Sequence, residues 1–149
     1  MTNLEKRTKW MALAALFVFA VMTVLTALQF HGANQMGANQ PAFYAILLPM
    51  PFYLYAMGSV WWMLRRISLG NGFAPSVSAG LRRVGMALFA GGLVEVFGQN
   101  LFTILVAGRS LFEVDATAIA IGVVGVGLYS IAGLIDEARE AKTELDSFI

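Results

Sequence analysis

Glu95 is the residue in this chain whose type and position most suggest chemistry. It is the one acid inside a long apolar run that extends from about Val84 to Ala107. Gln99 and Thr103 follow it at i+4 and i+8 and share its face on a regular helix; Asn100 lies beside that stripe. Tyr53, Tyr55 and Tyr129 fall in other apolar runs, where a phenol can donate a hydrogen bond to a carboxyl group. Hydrocarbon around an acid favours its neutral form. Two readings follow: a proton-responsive or ligand-binding site at mid-membrane, with Glu95, Gln99, Thr103, Tyr53, Tyr55 and Tyr129 as candidates, or polar glue between helices.

Nothing else in the sequence has the pattern of a catalytic or metal centre. There is no Cys and a single His, His31. Thiolate chemistry and multi-His metal or haem sites are therefore excluded, and no cofactor or metal is expected. No nucleophile–base pair is visible, so the sequence does not read as an enzyme. His31 lies in a polar, uncharged loop, Phe30 to Gln40, that contains GANQ twice, and reads as a solvated surface residue.

The elements that must position Glu95 follow from composition. The 149 residues are 58% hydrophobic and only 13% charged, about half the charge of an ordinary soluble domain. The mean hydropathy is +0.71. Crossing about 30 Å of hydrocarbon takes about 20 apolar residues in a helix. Four runs qualify, at about 10–29, 41–64, 84–107 and 116–135. They are continuous rather than alternating, which favours helices over strands. The expectation is an all-α integral membrane protein: one domain over 1–149, a four-helix transmembrane bundle with a short juxtamembrane amphipathic helix and a C-terminal helical tail, 136–149. The first run is longer than a signal-peptide core and no clean cleavage site follows it, so it reads as a retained span.

Charge sets the expected orientation. Lys6, Arg7, Lys9, Arg65, Arg66, Arg82, Arg83, Arg139 and Lys142 fall on one side of the four spans, and Arg109 alone on the other. The positive-inside bias places both ends and the central loop in the cytoplasm, with Trp10, Trp61 and Trp62 at that boundary. The cluster Arg65, Arg66, Arg82 and Arg83 marks topology, and could also face anionic lipid or a protein partner.

Several local features shape the elements. Pro49 and Pro51 withdraw amide donors from the second span, free the carbonyls of Ala45 and Leu47, and predict a kink. Gly70-Asn71-Gly72 breaks the chain after it. Phe73, Val77, Leu81 and Val84 then follow at helical spacing and predict the short amphipathic helix, lying at the interface and running into the third span. In the fourth span Ala118 and Gly122 have small-xxx-small spacing, suited to packing within the bundle or to a homodimer. In the tail, Leu134, Ala138, Ala141, Leu145 and Phe148 share one face among five acids and two bases. That face can dock a partner, fold back on the basic loop, or simply extend the fourth span into solvent.

The segment GNGFAPSVSAGLRRVGMALFAGG, Gly70 to Gly92, resembles the loop and third-helix start of the DUF2975 family of small bacterial membrane proteins. The matching residues are Gly72, Phe73, Leu81, Arg82, Arg83 and Gly85, and the acidic tail with its short apolar end is also similar. The resemblance implies a four-span protein of the bacterial inner membrane and supplies no catalytic residues. It further implies association with a helix-turn-helix transcription regulator, with no nucleic acid bound by this chain itself. The leading functional expectation is therefore a non-enzymatic regulatory or interaction protein. The alternative is a small proton-coupled transporter or ligand-binding protein using Glu95. Small multidrug exporters also have four spans and an essential membrane Glu, but theirs lies in the first helix, which here holds no acid.

Overall fold

The computed structural model describes residues 3–35, 37, 40–70, 73–108 and 115–148. Arg109, Asn71, Gly72 and part of the second GANQ copy, all named above, lie outside the described residues. The described chain is helical throughout, with short turns: α1 (Asn3–Ala33), α2 (Gln40–Leu47), α3 (Met50–Ser68), α4 (Phe73–Leu93), a π-helical turn (Val94–Gly98), α5 (Gln99–Ala107) and α6 (Ala116–Ser147). Four helical runs are long and apolar enough to cross a membrane, Lys6–Ala33, Phe43–Ser68, Phe73–Val106 and Ala116–Ser147.

Surface chemistry agrees with that reading. Phe17, Leu105 and Val123 are 70%, 75% and 66% exposed, and exposed large apolar side chains recur on every long helix. A monomer in water rarely shows contiguous apolar patches on this scale; hydrocarbon accepts them without cost.

Each long run packs chiefly on its neighbour in sequence. α4 is central, packed most extensively against α6 and then α3, while α1 packs on α3. Phe30 stacks on Tyr44 and Phe19 lies against Gly58, so α1 and the second run are antiparallel. Few large side chains are buried. The core holds Ala56, Val84 and Ala87, flanked by Val60, Leu88 and Leu128.

Close approach of backbones replaces side-chain interdigitation between α4 and α6. A Cβ on Gly85 would stand 2.5 Å from the carbonyl oxygen of Gly125, and one on Gly125 would stand 2.6 Å from that of Gly85. Farther along, a Cβ on Gly92 would meet the Ala118 carbonyl at 2.7 Å. The small-residue stripe of the fourth span is thus occupied by α4, as packing within the bundle requires. Gly127 and Gly133 have open space instead.

The helix ends have local causes. Gly70 and Gly108 adopt φ of +79° and +63°, the left-handed caps that Gly provides. Asp115 caps α6 by accepting the Thr117 amide at 2.7 Å, a cap the sequence reading did not single out. The segment after Gly72 forms no separate short helix; it is the first turns of α4. Its expected apolar face is only partly used, with Phe73 66% exposed. The buried positions are Ser76, Ser78, Gly80, Val84 and Gly85, because small residues let α4 approach α3 and α6. The tail is likewise no separate element, since α6 runs unbroken from Ala116 to Ser147.

Gly85→Val forces a side chain into the backbone of α6, and it is expected to destabilise the fold by about 1–3 kcal/mol. Gly127→Ala should be nearly neutral. Thermal unfolding of both variants in detergent checks the contrast.

Candidate functional site

Two helix irregularities face each other. In the second run, Leu48 and Pro49 form a turn between α2 and α3. The Leu48 amide donates to the Ala45 carbonyl at 3.2 Å, so one of the carbonyls freed by the prolines is satisfied by a tighter turn. Pro49 is the largest fully buried side chain among the described residues. In the third run, the π-helical turn Val94–Gly98 interrupts the α-helix, and the Gln99 amide reaches back to the Val94 carbonyl. A Cβ on Gly98 would lie 3.3 Å from Leu48 Cδ2, which brings the two irregularities into contact. α2 and α5, beyond the two breaks, also pack together.

Glu95 sits in that π-helical turn, and the Tyr53 hydroxyl donates to its Oε2 across the helix interface. Both residues are half-buried. Gly91 makes the contact possible. A Cβ there would be 2.6 Å from Tyr53 Cε1, so the phenol ring rests on the bare backbone of α4 one turn before Glu95. The signal for this seat in the sequence is a glycine at i−4 from the acid.

The other two candidate tyrosines are not brought to this pair. Tyr55 is 58% exposed and lines grooves with Arg83 instead. Tyr129 lies beneath Arg82, whose guanidinium carbon is 5.7 Å from its ring. Its backbone packs on Gly85, ten residues or about 15 Å along the helix from Glu95. Thr103 Oγ1 donates to the Gln99 carbonyl at 2.8 Å, and Asn100 Nδ2 donates to the Val96 carbonyl at 2.6 Å. Both turn back onto their own helix. Gln99 and Thr103 keep their i, i+4 spacing within α5, beyond the π-helical turn that holds Glu95. The hydrogen-bonded centre of the site is Tyr53 and Glu95, seated on Gly91.

At the basic end the four arginines divide. Arg82 Nη2 pairs with Asp136 Oδ2 at 2.8 Å, and Ser78 Oγ donates to Asp136 Oδ1 at 2.6 Å. This clamps the start of the tail to α4. Arg65 lies 5.4 Å from the Trp61 ring centre, and Arg66 and Arg83 lie 4.2 Å and 4.3 Å from that of Trp62. Beyond Asp136 the tail does not fold back; residues 137–148 are all exposed. His31 is exposed and contacts only Gln35 among the described residues, at 3.3 Å.

No family model matches the chain, and no curated protein or solved structure matches it either.

The Tyr53–Glu95 bond is expected to show a coupling of about 0.6 kcal/mol, the membrane average, and no more than about 1.7. A double-mutant cycle of Tyr53→Phe with Glu95→Ala, read by unfolding in mixed micelles, measures it.

Proposed function

We propose that this chain is a non-enzymatic integral protein of the bacterial cytoplasmic membrane that holds a soluble partner at the membrane through its tail helix. Both chain ends and the arginine-rich connection then face the cytoplasm, as the positive-inside bias requires.

The observation that carries this reading is α6 beyond Asp136. The helix continues to Ser147, about 18 Å past the apolar span. Leu134, Leu145 and Phe148 stay 63%, 67% and 88% exposed, on one face with Ala138 and Ala141. An isolated helix this short is marginal in water. Growth from a spanning helix removes the nucleation step, and the Arg82–Asp136–Ser78 clamp fixes the direction in which it leaves. Exposed apolar positions at 4,3,4,3 spacing suit a partner helix laid along the tail, and the acids around them suit a basic rim on that partner. The resemblance of Gly70–Gly92 to the DUF2975 family supports a helix-turn-helix regulator as the partner.

Leu145→Asp combined with Phe148→Asp should abolish co-purification of a helix-turn-helix regulator from solubilised native membranes, while resistance of the chain to carbonate extraction is unchanged. Full retention of the regulator by this variant rejects the reading.

A second reading has its own observation. Two facing helix breaks with a carboxyl group between them match the discontinuous helices that form ion and substrate sites in transporters, and π-helical turns recur at functional sites. On that reading Glu95 exchanges a proton for substrate. Glu95→Gln should then stop proton-driven uptake into vesicles; normal uptake by that variant ends the proposal.

A further inference from the structure

Three of the four central arginines have no carboxylate partner among the described residues. Asp136 is engaged by Arg82 and Ser78, and no other ion pair joins the described residues of this end. Arg66 and Arg83 instead place two like charges against one indole, that of Trp62. Attraction to a ring face leaves in-plane N–H donors of a guanidinium free, and their planar fork suits phosphate oxygens. Two guanidiniums gathered on one indole, with no acid among the described residues to pair them, attract an anion.

What lies next to them is apolar. Arg83 and Tyr55 stand together at the junction of two open grooves. One, of about 430 Å³, runs between α3 and α4 past Pro51, Phe52, Met86 and Ala87. The other, of about 360 Å³, runs between α1 and α3 past Phe19, Leu54, Gly58 and Trp61. Together the two grooves span α3 from Pro51 to Trp62, about 16 Å and close to the roughly 15 Å depth of one leaflet. A cationic mouth at headgroup level opening on two apolar grooves that together reach the depth of a leaflet suits a diacyl phospholipid.

We propose that Arg66 and Arg83 hold the phosphate of one anionic phospholipid, whose two acyl chains lie in the grooves that meet at Arg83 and Tyr55. Trp62 fixes the two guanidiniums, and Arg82, tied to Asp136, takes no part. This site is separate from the tail face and stands whether or not the tail binds a partner.

The test is native mass spectrometry of the full chain in detergent, titrated with dioleoyl phosphatidylglycerol and with dioleoyl phosphatidylcholine, which share their acyl chains. The wild-type chain should prefer phosphatidylglycerol by about tenfold, the order expected for losing charge-assisted hydrogen bonds. Arg83→Gln should remove most of that preference, and Arg82→Gln, an identical change of charge one residue away, should keep it within about twofold. Equal binding of the two lipids overturns the proposal. So does an equal loss in the two variants, which would reduce the effect to general surface charge. If Arg83→Gln is not monodisperse, Arg66→Gln takes its place with the same two outcomes. Dihexanoyl phosphatidylglycerol supplies the headgroup without long chains and should bind more weakly. If it binds as well as the dioleoyl lipid and inorganic phosphate displaces it, the site takes free anions and the lipid assignment fails.

Discussion

Four long helices covered in apolar side chains leave few hydrogen-bond partners beyond the backbone itself, and that scarcity constrains nearly everything in this molecule. Backbone groups must be satisfied within helices, and short polar side chains must turn back on their own. Thr23, Thr26, Ser59 and Ser130 all donate to the carbonyl four residues earlier. Where the helical ladder is interrupted, the two interruptions are packed against each other. Pro49 is fully buried, and the π-helical turn lies against Leu48 of the facing break through Gly98. Glu95 follows the same rule, since its carboxyl group is met by Tyr53 from the adjacent helix. Such a pair adds little stability on average. Its larger effect is on register, because a displaced α4 would strand both groups.

α4 can satisfy two neighbours at once because its own side chains are small where they meet. Gly85 and Gly92 admit the backbone of α6, while Gly80 and Gly91 admit Met63 and Tyr53 of α3. Without a hydrophobic driving force between helices in lipid, such contact depends on dispersion at short range. Large apolar residues are accordingly turned outward, the reverse of a soluble core.

The basic end is organised by a different balance. One arginine finds a carboxylate and the others find aromatic rings, so adjacent residues of the same type do different things. Arg82 fixes the exit of α6. Arg66 and Arg83 remain charged groups without a carboxylate partner among the described residues. Exposed ion pairs such as Arg82–Asp136 contribute little to stability; here the pair with Ser78 sets a direction.

The sequence by itself determined the four long apolar helices, because they depend on the length and continuity of apolar runs. It also determined that Pro49 would interrupt the second run and that Glu95 would be the group of interest, since a proline and an intramembrane acid act wherever the chain places them. It did not determine which tyrosine meets Glu95. Three were candidates, and Gly91 admits only Tyr53. Nor did it reveal the π-helical turn that holds Glu95, or the division of labour among Arg66, Arg82 and Arg83. Those outcomes depend on the separation and rotation of neighbouring helices. Periodicity within one helix carries no information about the close approaches that fix them.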